Sequence, residues 1–380
     1  MELNTLKRHM GTVGRLIPAL AIAAFFIGCG EPEDPSIPVE EEPEYELLGQ
    51  AGTWLIAYDL QFNGDTAFVA QDLAGIMKFD VADPSSPMLL DTVGIVDAEV
   101  PQAVRQIRFL LNGWSRVILG FNDGGPVNQF DYPSFESLNS PSATGIQRGL
   151  FVYTFMDSVV SSYDQQLHEA QVIQIVTADS DDGINRYIWH RDSVEFQGET
   201  LPNDRYNVEY QIPVLKFNGE SPDGLGKLPD PSFVAAGIGA WGVAIADVST
   251  EGGVLGEWVG HVDTPGEAGS SVFQDSYLYV ADGEKGFAIV DLADYTAPEY
   301  VRSVQEEGME HVDVMAVQGH RLVVADQFDG LFFYDLTEPD NPLLMDHHPL
   351  RNTRAIVFKE DTIIGVTADY EGLLMFELKY

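Results

Sequence analysis

The chain has 380 residues, of which 60 are acidic and 20 are basic, so its formal net charge at pH 7 is -40. Because 45% of the residues are hydrophobic, the chain can bury a core, which excludes a disordered acidic tail. The same charge argues against nucleic acid as a partner, since a phosphate backbone would be repelled, and it suits solubility, calcium-containing surroundings or a basic partner.

The first 28 residues are predicted to be a signal peptide. A basic segment that ends at Arg15 precedes the apolar run 16–27, LIPALAIAAFFI, which is too short to span a bilayer comfortably. The only cysteine of the chain, Cys29, follows Gly28. This arrangement resembles a bacterial lipoprotein signal, in which cleavage before the cysteine frees it for lipid attachment. A buried free thiol is disfavoured, because position 29 lies outside any predicted domain.

The resemblance implies a localisation and a tether. Gly30 rather than aspartate follows the cysteine, which favours the bacterial outer membrane, with the protein facing the periplasm or the cell surface. Residues 29–43 comprise the lipidated Cys29 and an acidic segment rich in Pro and Glu, a composition that forms an extended, self-repelling tether. We expect membrane contact through the lipid on Cys29 only, and a folded domain over residues 44–380.

Residues 44–380 repeat one pattern, a glycine followed by an apolar run and an acidic residue five positions later. Gly286-Phe-Ala-Ile-Val-Asp291 is the clearest copy. The marker glycines are at positions 75, 125, 183, 242, 286, 330 and 372, so they are 42 to 59 residues apart. This repeat length is typical of propeller blades. Each unit is expected to contain four short strands, because β-branched and aromatic segments alternate with Gly, Asp and Pro.

The predicted fold is therefore all-β, a β-propeller of four-stranded antiparallel blades. The last unit is one strand short, and the segment 45–50, YELLGQ, resembles the fourth strands, so an N-terminal strand is expected to close the ring. Seven blades are favoured. Six are the alternative, which requires Gly149 to replace Gly125 and Gly183 as a marker. In the sixth unit, strands are expected at 313–317, 321–325, 331–335 and 343–347.

The repeated segments also resemble a known family. FAIVD at 287–291, IMKFD at 76–80 and LFFYD at 331–335, together with the proline-containing turns that follow them, are similar to LVIVD-repeat proteins. The resemblance is close in units 1, 5, 6 and 7, partial in unit 4 and weak in units 2 and 3. It implies a bacterial surface or secreted β-propeller, and it indicates architecture rather than chemistry.

The aspartates of the repeat are interpreted as scaffolding. Asp282 and Asp291, which bracket one glycine turn, have counterparts in other blades, whereas a catalytic pair occurs once per active site. A carboxylate at a strand end accepts hydrogen bonds from nearby backbone N–H groups. Collectively, the carboxylates of turns and links predict a strongly acidic face around the central channel, which would attract cations and basic partners.

Candidate binding residues lie in units 2 to 4, which are elaborated by the segments 132–144 and 186–217. Recognition usually resides in such elaborations of a scaffold. Packing within the elaborated strands is favoured for the aromatic residues there, and stacking on sugar rings or anchoring a protein partner is the alternative. The turn DSDDG at 179–183 is rich in oxygen ligands, although a plain acidic turn is favoured over a cation site. The predicted binding residues are Asp179, Asp181, Asp182, Trp189, Tyr206 and Tyr210.

No catalytic residue, metal site or cofactor is assigned from the sequence. It contains no GxSxG elbow, no phosphate-binding GxxxxGK[ST] loop and no CxxC pair. The turn DSDDG does not fit EF-hand spacing, although calcium binding stays open. His261, His311 and His347 fall in successive interblade links, where solvated side chains are favoured over a metal site.

These features favour a lipid-anchored envelope module that binds an unidentified protein or polysaccharide as a monomer. One alternative is an enzyme, a hydrolase or lyase acting on extracellular polymers in the channel. A His–carboxylate cluster with a perturbed pKa in the channel would favour this less preferred class. The other alternative is a calcium-dependent structural protein of the cell surface.

Overall fold

Short strands separated by tight turns account for the regular structure of the chain. The computed structural model describes residues 43–380 except 95, 98–99, 102, 111–115, 122–127, 132–136, 140–146, 161–166, 180–182, 197–198, 206–216 and 250–255. Residues 43–380 form one compact unit. In the part of the chain that is described, no helix is long and apolar enough to cross a membrane.

The described residues form seven four-stranded antiparallel blades, of which the fourth and fifth join into one eight-stranded sheet through a parallel pair between Gly226 and Ser271. A first strand, β1 (Tyr45–Ala51), precedes blade 1, which comprises β2 (Asp59–Asn63), β3 (Thr66–Ala70), β4 (Ile76–Asp80) and β5 (Met88–Val93). A small hairpin follows, β6 (Val96–Asp97) and β7 (Val100–Pro101). Blade 2 comprises β8 (Val104–Leu110), β9 (Arg116–Phe121), β10 (Asn128–Asp131) and β11 (Ser137–Asn139).

The strands of blade 3 are longer than those of the other blades. They are β12 (Gln147–Val160), β13 (Leu167–Asp179), β14 (Gly183–Phe196) and β15 (Glu199–Arg205). Blade 4 comprises β16 (Gly224–Lys227), β17 (Phe233–Gly237), β18 (Val243–Asp247) and β19 (Glu257–Val262). Blade 5 comprises β20 (Ser271–Gln274), β21 (Tyr277–Ala281), β22 (Phe287–Asp291) and β23 (Glu299–Val304).

The last two blades complete the ring. Blade 6 comprises β24 (Val312–Gln318), β25 (Arg321–Asp326), β26 (Gly330–Asp335) and β27 (Leu343–His348). Blade 7 comprises β28 (Thr353–Phe358), β29 (Ile363–Ala368), β30 (Gly372–Leu378) and, as its fourth strand, β1. β1 pairs with β30 from Tyr45↔Leu378 to Ala51↔Leu373, so closure by the N-terminal strand is confirmed.

The seven-blade count is confirmed, and the six-blade alternative is wrong. Gly149, the marker that six blades require, lies within β12 rather than in a turn. Gly183 begins β14, and residue 125 falls between β9 and β10 in the chain, as expected for the turn between the second and third strands of a blade.

The core lies between neighbouring blades. In β22, Phe287 and Ile289 pack with residues of blade 6, whereas Ala288 and Val290 pack with residues of blade 4. Alternate side chains of a strand point to opposite faces of its sheet, so a strand covered on both faces reads as a continuous apolar run. The FAIVD pattern therefore encodes a blade with two buried faces.

Candidate functional site

The aspartates of the repeat hold turns and links together. Asp282 is buried and accepts hydrogen bonds from the Thr264 hydroxyl at 2.6 Å and from the Gly266 N–H at 2.9 Å. The equivalent buried Asp326 accepts four backbone N–H groups, those of Glu310, His311, Phe328 and Asp329. Asp291 accepts the Ala293 N–H at 2.9 Å in an exposed turn. These contacts confirm the scaffolding interpretation, which leaves the search for function to other residues.

One end of the propeller brings turns and links together, and we call it the turn face. It contains the turns between the second and third strands and the links that enter the innermost strands. Antiparallel pairing places them side by side, since Asp59 at the start of β2 pairs with Ala70 at the end of β3. The described turns are residues 71–75 in blade 1, 238–242 in blade 4, 282–286 in blade 5, 327–329 in blade 6 and 369–371 in blade 7.

The central channel is a cavity of about 1010 Å³. Its described lining comes from the innermost strands β2, β8, β16, β20, β24 and β28 and from the links that precede them. Such a volume lies at the upper end of the range for ligand pockets, ~300–1,000 Å³. The channel is therefore large enough for a small organic ligand.

Among the described residues, the wall of this channel carries as many basic as acidic side chains. The acidic face predicted for the surrounding turns and links stays a prediction. Four acidic residues of the described part of the chain line the cavity, Asp59, Asp223, Glu267 and Asp313. Four basic residues also line it, Arg105, Arg108, Lys227 and Arg354. Buried or half-buried charges require partners, and several of these pair with carboxylates, as Arg108 does with Asp59. Carboxylates do occur on the surrounding turns and links, at Glu284, Glu310, Asp329 and Glu371.

Two arginines lie near Tyr58 on the channel wall. The Arg105 guanidinium carbon lies 3.4 Å from the centroid of the Tyr58 ring, and that of Arg354 lies 6.0 Å from it. Asp72 accepts a hydrogen bond from Arg105 at 3.0 Å, and Asp369 accepts two from Arg354, at 2.7 and 2.9 Å. The bonds to Asp369 raise the pKa of Arg354, so its guanidinium group is a fixed cation.

A His–carboxylate pair lies beside Arg354. His311 Nε2 is 2.9 Å from Asp313 Oδ1, and both residues line the cavity. Burial raises the pKa of Asp313, an effect that His311 and Arg354 oppose. His261 and His347 lie on the outermost strands β19 and β27, so the three link histidines do not converge. Among the described residues, no group of three His, Cys, Asp or Glu side chains is arranged to hold a metal ion.

Exposed apolar side chains on the turn face form what we call the apolar crown. Leu73, Phe328 and Tyr370 each lie two residues before a marker glycine, and Trp241 lies one residue before Gly242. Tyr370 is 87% exposed and Leu73 is 62% exposed. Trp54, 65% exposed, is held beside the blade 1 turn because its backbone N–H donates to Gln71 Oε1 at 3.0 Å. The crown comprises Trp54, Leu73, Trp241, Phe328 and Tyr370.

The crown was not predicted from the sequence, although the sequence contains a signal for it. An aligned turn position that is apolar in several blades, yet lies outside any strand, indicates exposure rather than core packing.

The predicted binding residues fall mostly outside the described part of the chain. Asp181, Asp182, Tyr206 and Tyr210 lie outside the described residues, as does the predicted lipidation site Cys29. Asp179 ends β13 and pairs with Gly183, whereas Trp189 pairs with Ile173. Trp189 lies six positions after Gly183 along β14, which is about 20 Å of strand, so Asp179 and Trp189 are not neighbours.

Comparison with known proteins identifies the repeat. The family model described as LVIVD repeat matches residues 56–94 and 265–306, which contain blades 1 and 5. The chain contains LVIVD repeats. These repeats on a propeller support, at a coarse level, a binding or interaction module.

The fold of this LVIVD-repeat chain is also similar to that of a solved structure. The computationally designed Ika8 protein matches it with a TM-score of 0.55 and 14% sequence identity. The match covers 87% of this chain and 99% of that chain, and at this identity it concerns the fold alone. Among curated proteins, none matches the chain.

Proposed function

We propose that the chain is a lipid-anchored binding module of the bacterial outer membrane, whose turn face docks a protein with basic side chains. The observation that carries this proposal is the apolar crown. Large apolar side chains gathered on one face mark interaction sites, and aromatic residues supply much of the binding energy at protein interfaces. The crown contains Trp, Phe and Tyr side chains from different blades.

The basic character of the partner is inferred from a pocket beside Phe328. This pocket has a volume of about 470 Å³ and is lined by Glu284, Glu310, His311, Gln327 and Phe328. A Lys or Arg side chain inserted there would meet two carboxylates and an aromatic ring, both of which attract cations. The net charge of -40 would also draw a basic surface towards the protein.

A triple substitution tests the docking surface. Trp241→Ala, Phe328→Ala and Tyr370→Ala remove three crown side chains, while the control removes Leu89, Tyr300 and Leu343, which are exposed on the outermost strands β5, β23 and β27. Crosslinking in intact cells should capture a partner with the wild-type and control chains but not with the crown variant. Capture should weaken as salt is added, because salt screens charge attraction. Equal capture by all three chains would exclude the turn face.

The anchor is tested separately. Replacing Cys29 by Ala should abolish labelling by a fatty-acid analogue and release the protein from the membrane fraction. Retention of both label and membrane association would exclude lipid attachment at this residue. The result does not depend on the docking test, because the substitution leaves residues 43–380 unchanged.

A second candidate function is an enzyme that acts on extracellular polymers in the channel. The His311–Asp313 pair, with the raised pKa of Asp313, is the observation that favours it. Product release from polysaccharides by the wild-type chain should be lost on His311→Ala. It should be kept on His320→Ala, which changes an exposed histidine between β24 and β25. Absence of product from the wild-type chain would exclude activity on the polymers tested.

A further inference from the structure

The innermost strands of blades 2, 6 and 7 carry a one-residue bulge at the same place, and that of blade 3 shifts register between Gln147 and Gly149. The pairing with the second strand shifts between Val104 and Gln106 in blade 2, between Val312 and Val314 in blade 6, and between Thr353 and Ala355 in blade 7. The extra residues are Arg105, Asp313 and Arg354. A bulge redirects a side chain out of the regular alternation, and bulges are frequent beside active sites. All three redirected residues line the channel.

Each of the two arginines is bound by a carboxylate that is not among the residues lining the cavity, and each keeps N–H donors for a ligand. A guanidinium has five N–H donors, of which Asp369 accepts two from Arg354 and Asp72 accepts one from Arg105. Within the part of the chain that the structure describes, neither guanidinium donates to a further acceptor. The Arg105 side chain is 24% exposed and that of Arg354 is 33% exposed, so each remains accessible from the channel.

The charge of the channel contrasts with that of the chain. Among the described residues, four basic and four acidic side chains line this cavity. In the whole chain, acidic residues outnumber basic ones by 60 to 20. An anionic ligand would be repelled by most of the surface, whereas the channel wall carries the guanidinium groups of Arg105, Arg108 and Arg354. Guanidinium groups match carboxylates in geometry, because two parallel N–H donors meet two oxygens.

Hydroxyl groups of a ligand could donate hydrogen bonds to oxygen acceptors in the same cavity. Asp313 lies on the blade next to Arg354, and Asp223 and Glu267 line the cavity from blades 4 and 5. Gln106, next to the bulged Arg105, also lines the cavity, and its Oε1 is buried without a hydrogen-bond partner among the described residues. A buried acceptor without a partner is rare in folded proteins and is consistent with a donor supplied by a ligand.

We propose that the channel binds a sugar acid, with its carboxylate on Arg105 and Arg354 and its hydroxyl groups on Asp313 and Gln106. Tyr58 lies near both arginines, with its ring centroid 3.4 Å from the guanidinium carbon of Arg105 and 6.0 Å from that of Arg354. This site is on the channel wall rather than on the turn tips, so it does not depend on the docking of a protein by the apolar crown.

Calorimetric titration of the full chain in detergent with glucuronate tests this site. Glucuronate should bind, whereas galactose, which has no carboxylate, should give no heat. Arg105→Gln and Arg354→Gln should each weaken binding about 10-fold or more, because each removes hydrogen bonds to a charged group. Arg302→Gln is the matched control, since Arg302 is an exposed arginine that donates to Asn341 at 2.7 Å on the outer rim. Its affinity should equal that of the wild type.

Several outcomes would overturn the proposal. They are the absence of glucuronate binding to the wild type, equal binding of galactose, and unchanged affinity in both channel variants. Stronger binding of glycine than of glucuronate would show that the site takes amino acids instead. If Arg354→Gln does not fold, as judged by its melting transition, Arg354→Lys takes its place. The lysine keeps the positive charge but cannot form bidentate hydrogen bonds, so it should still weaken binding. Loss of the protein partner in the crown variant would leave glucuronate binding unchanged, so the two proposals fail independently.

Discussion

Replacing Asp326 by Ala should be far more destabilising than replacing Asp291, although both are aspartates of the same repeat. Asp326 is buried and accepts four backbone N–H groups, whereas Asp291 accepts one in an exposed turn. A typical hydrogen bond contributes about 1 kcal/mol of net stability. The free energy of unfolding should therefore fall by about 4 kcal/mol for Asp326→Ala and by about 1 kcal/mol for Asp291→Ala.

Urea unfolding of the full chain and the two variants measures this difference. The transition midpoints should shift in the ratio of about four to one if the slopes stay equal, since the midpoint is the unfolding free energy divided by the slope. Equal shifts for the two variants would refute the argument from bond counting. Loss of partner capture in Asp291→Ala at an unchanged midpoint would refute the scaffolding role itself.

Two further predictions concern turns and pH. Gly286→Ala should lower stability by about 3 kcal/mol, because φ is +74° and a Cβ would lie 2.1 Å from the Val304 carbonyl oxygen. Gly319→Ala, with φ +59° and no atom within 4 Å of the new Cβ, should lower it by only about 1 kcal/mol, and equal melting temperatures would contradict this. Burial raises the pKa of Asp282 above its usual 3.8, so its contribution to stability is full below that pH and is lost as the pH rises through the folded-state pKa. In thermal melts recorded from acidic to neutral pH, the Asp282→Asn variant should not show this loss of stability. Melting temperatures that change with pH in parallel for the wild type and the variant would contradict the assignment of the loss to Asp282.

Most of the fold could be predicted from the sequence because each blade repeats the same requirements. The second strand of blade 6 was expected at 321–325 and is Arg321–Asp326, and the first was expected at 313–317 and is Val312–Gln318. Continuous apolar runs identify strands buried on both faces, and the marker glycines identify turns with positive φ. The fourth strand of blade 7 could also be predicted, because the segment 45–50 resembles the fourth strands of other blades. It pairs with β30 as expected.

The channel site could not be predicted, because bulges and ring closure create it. Regular alternation gives no reason for Arg105, Asp313 and Arg354 to share the channel, and a bulge changes the direction of each side chain. Tyr58 and Arg354 become neighbours only when blade 7 closes against blade 1. The binding role of Trp189, Tyr206 and Tyr210 stays a prediction.

The most direct test of the docking face is site-specific photo-crosslinking in intact cells. A photoreactive amino acid at position 370 would replace Tyr370, which is 87% exposed on the turn face, and one at position 343 would replace Leu343, which is 63% exposed on the outermost strand β27. A crosslinked protein should be recovered from position 370 and not from position 343. Recovery from position 343 alone, or equally from both positions, would contradict docking on the turn face.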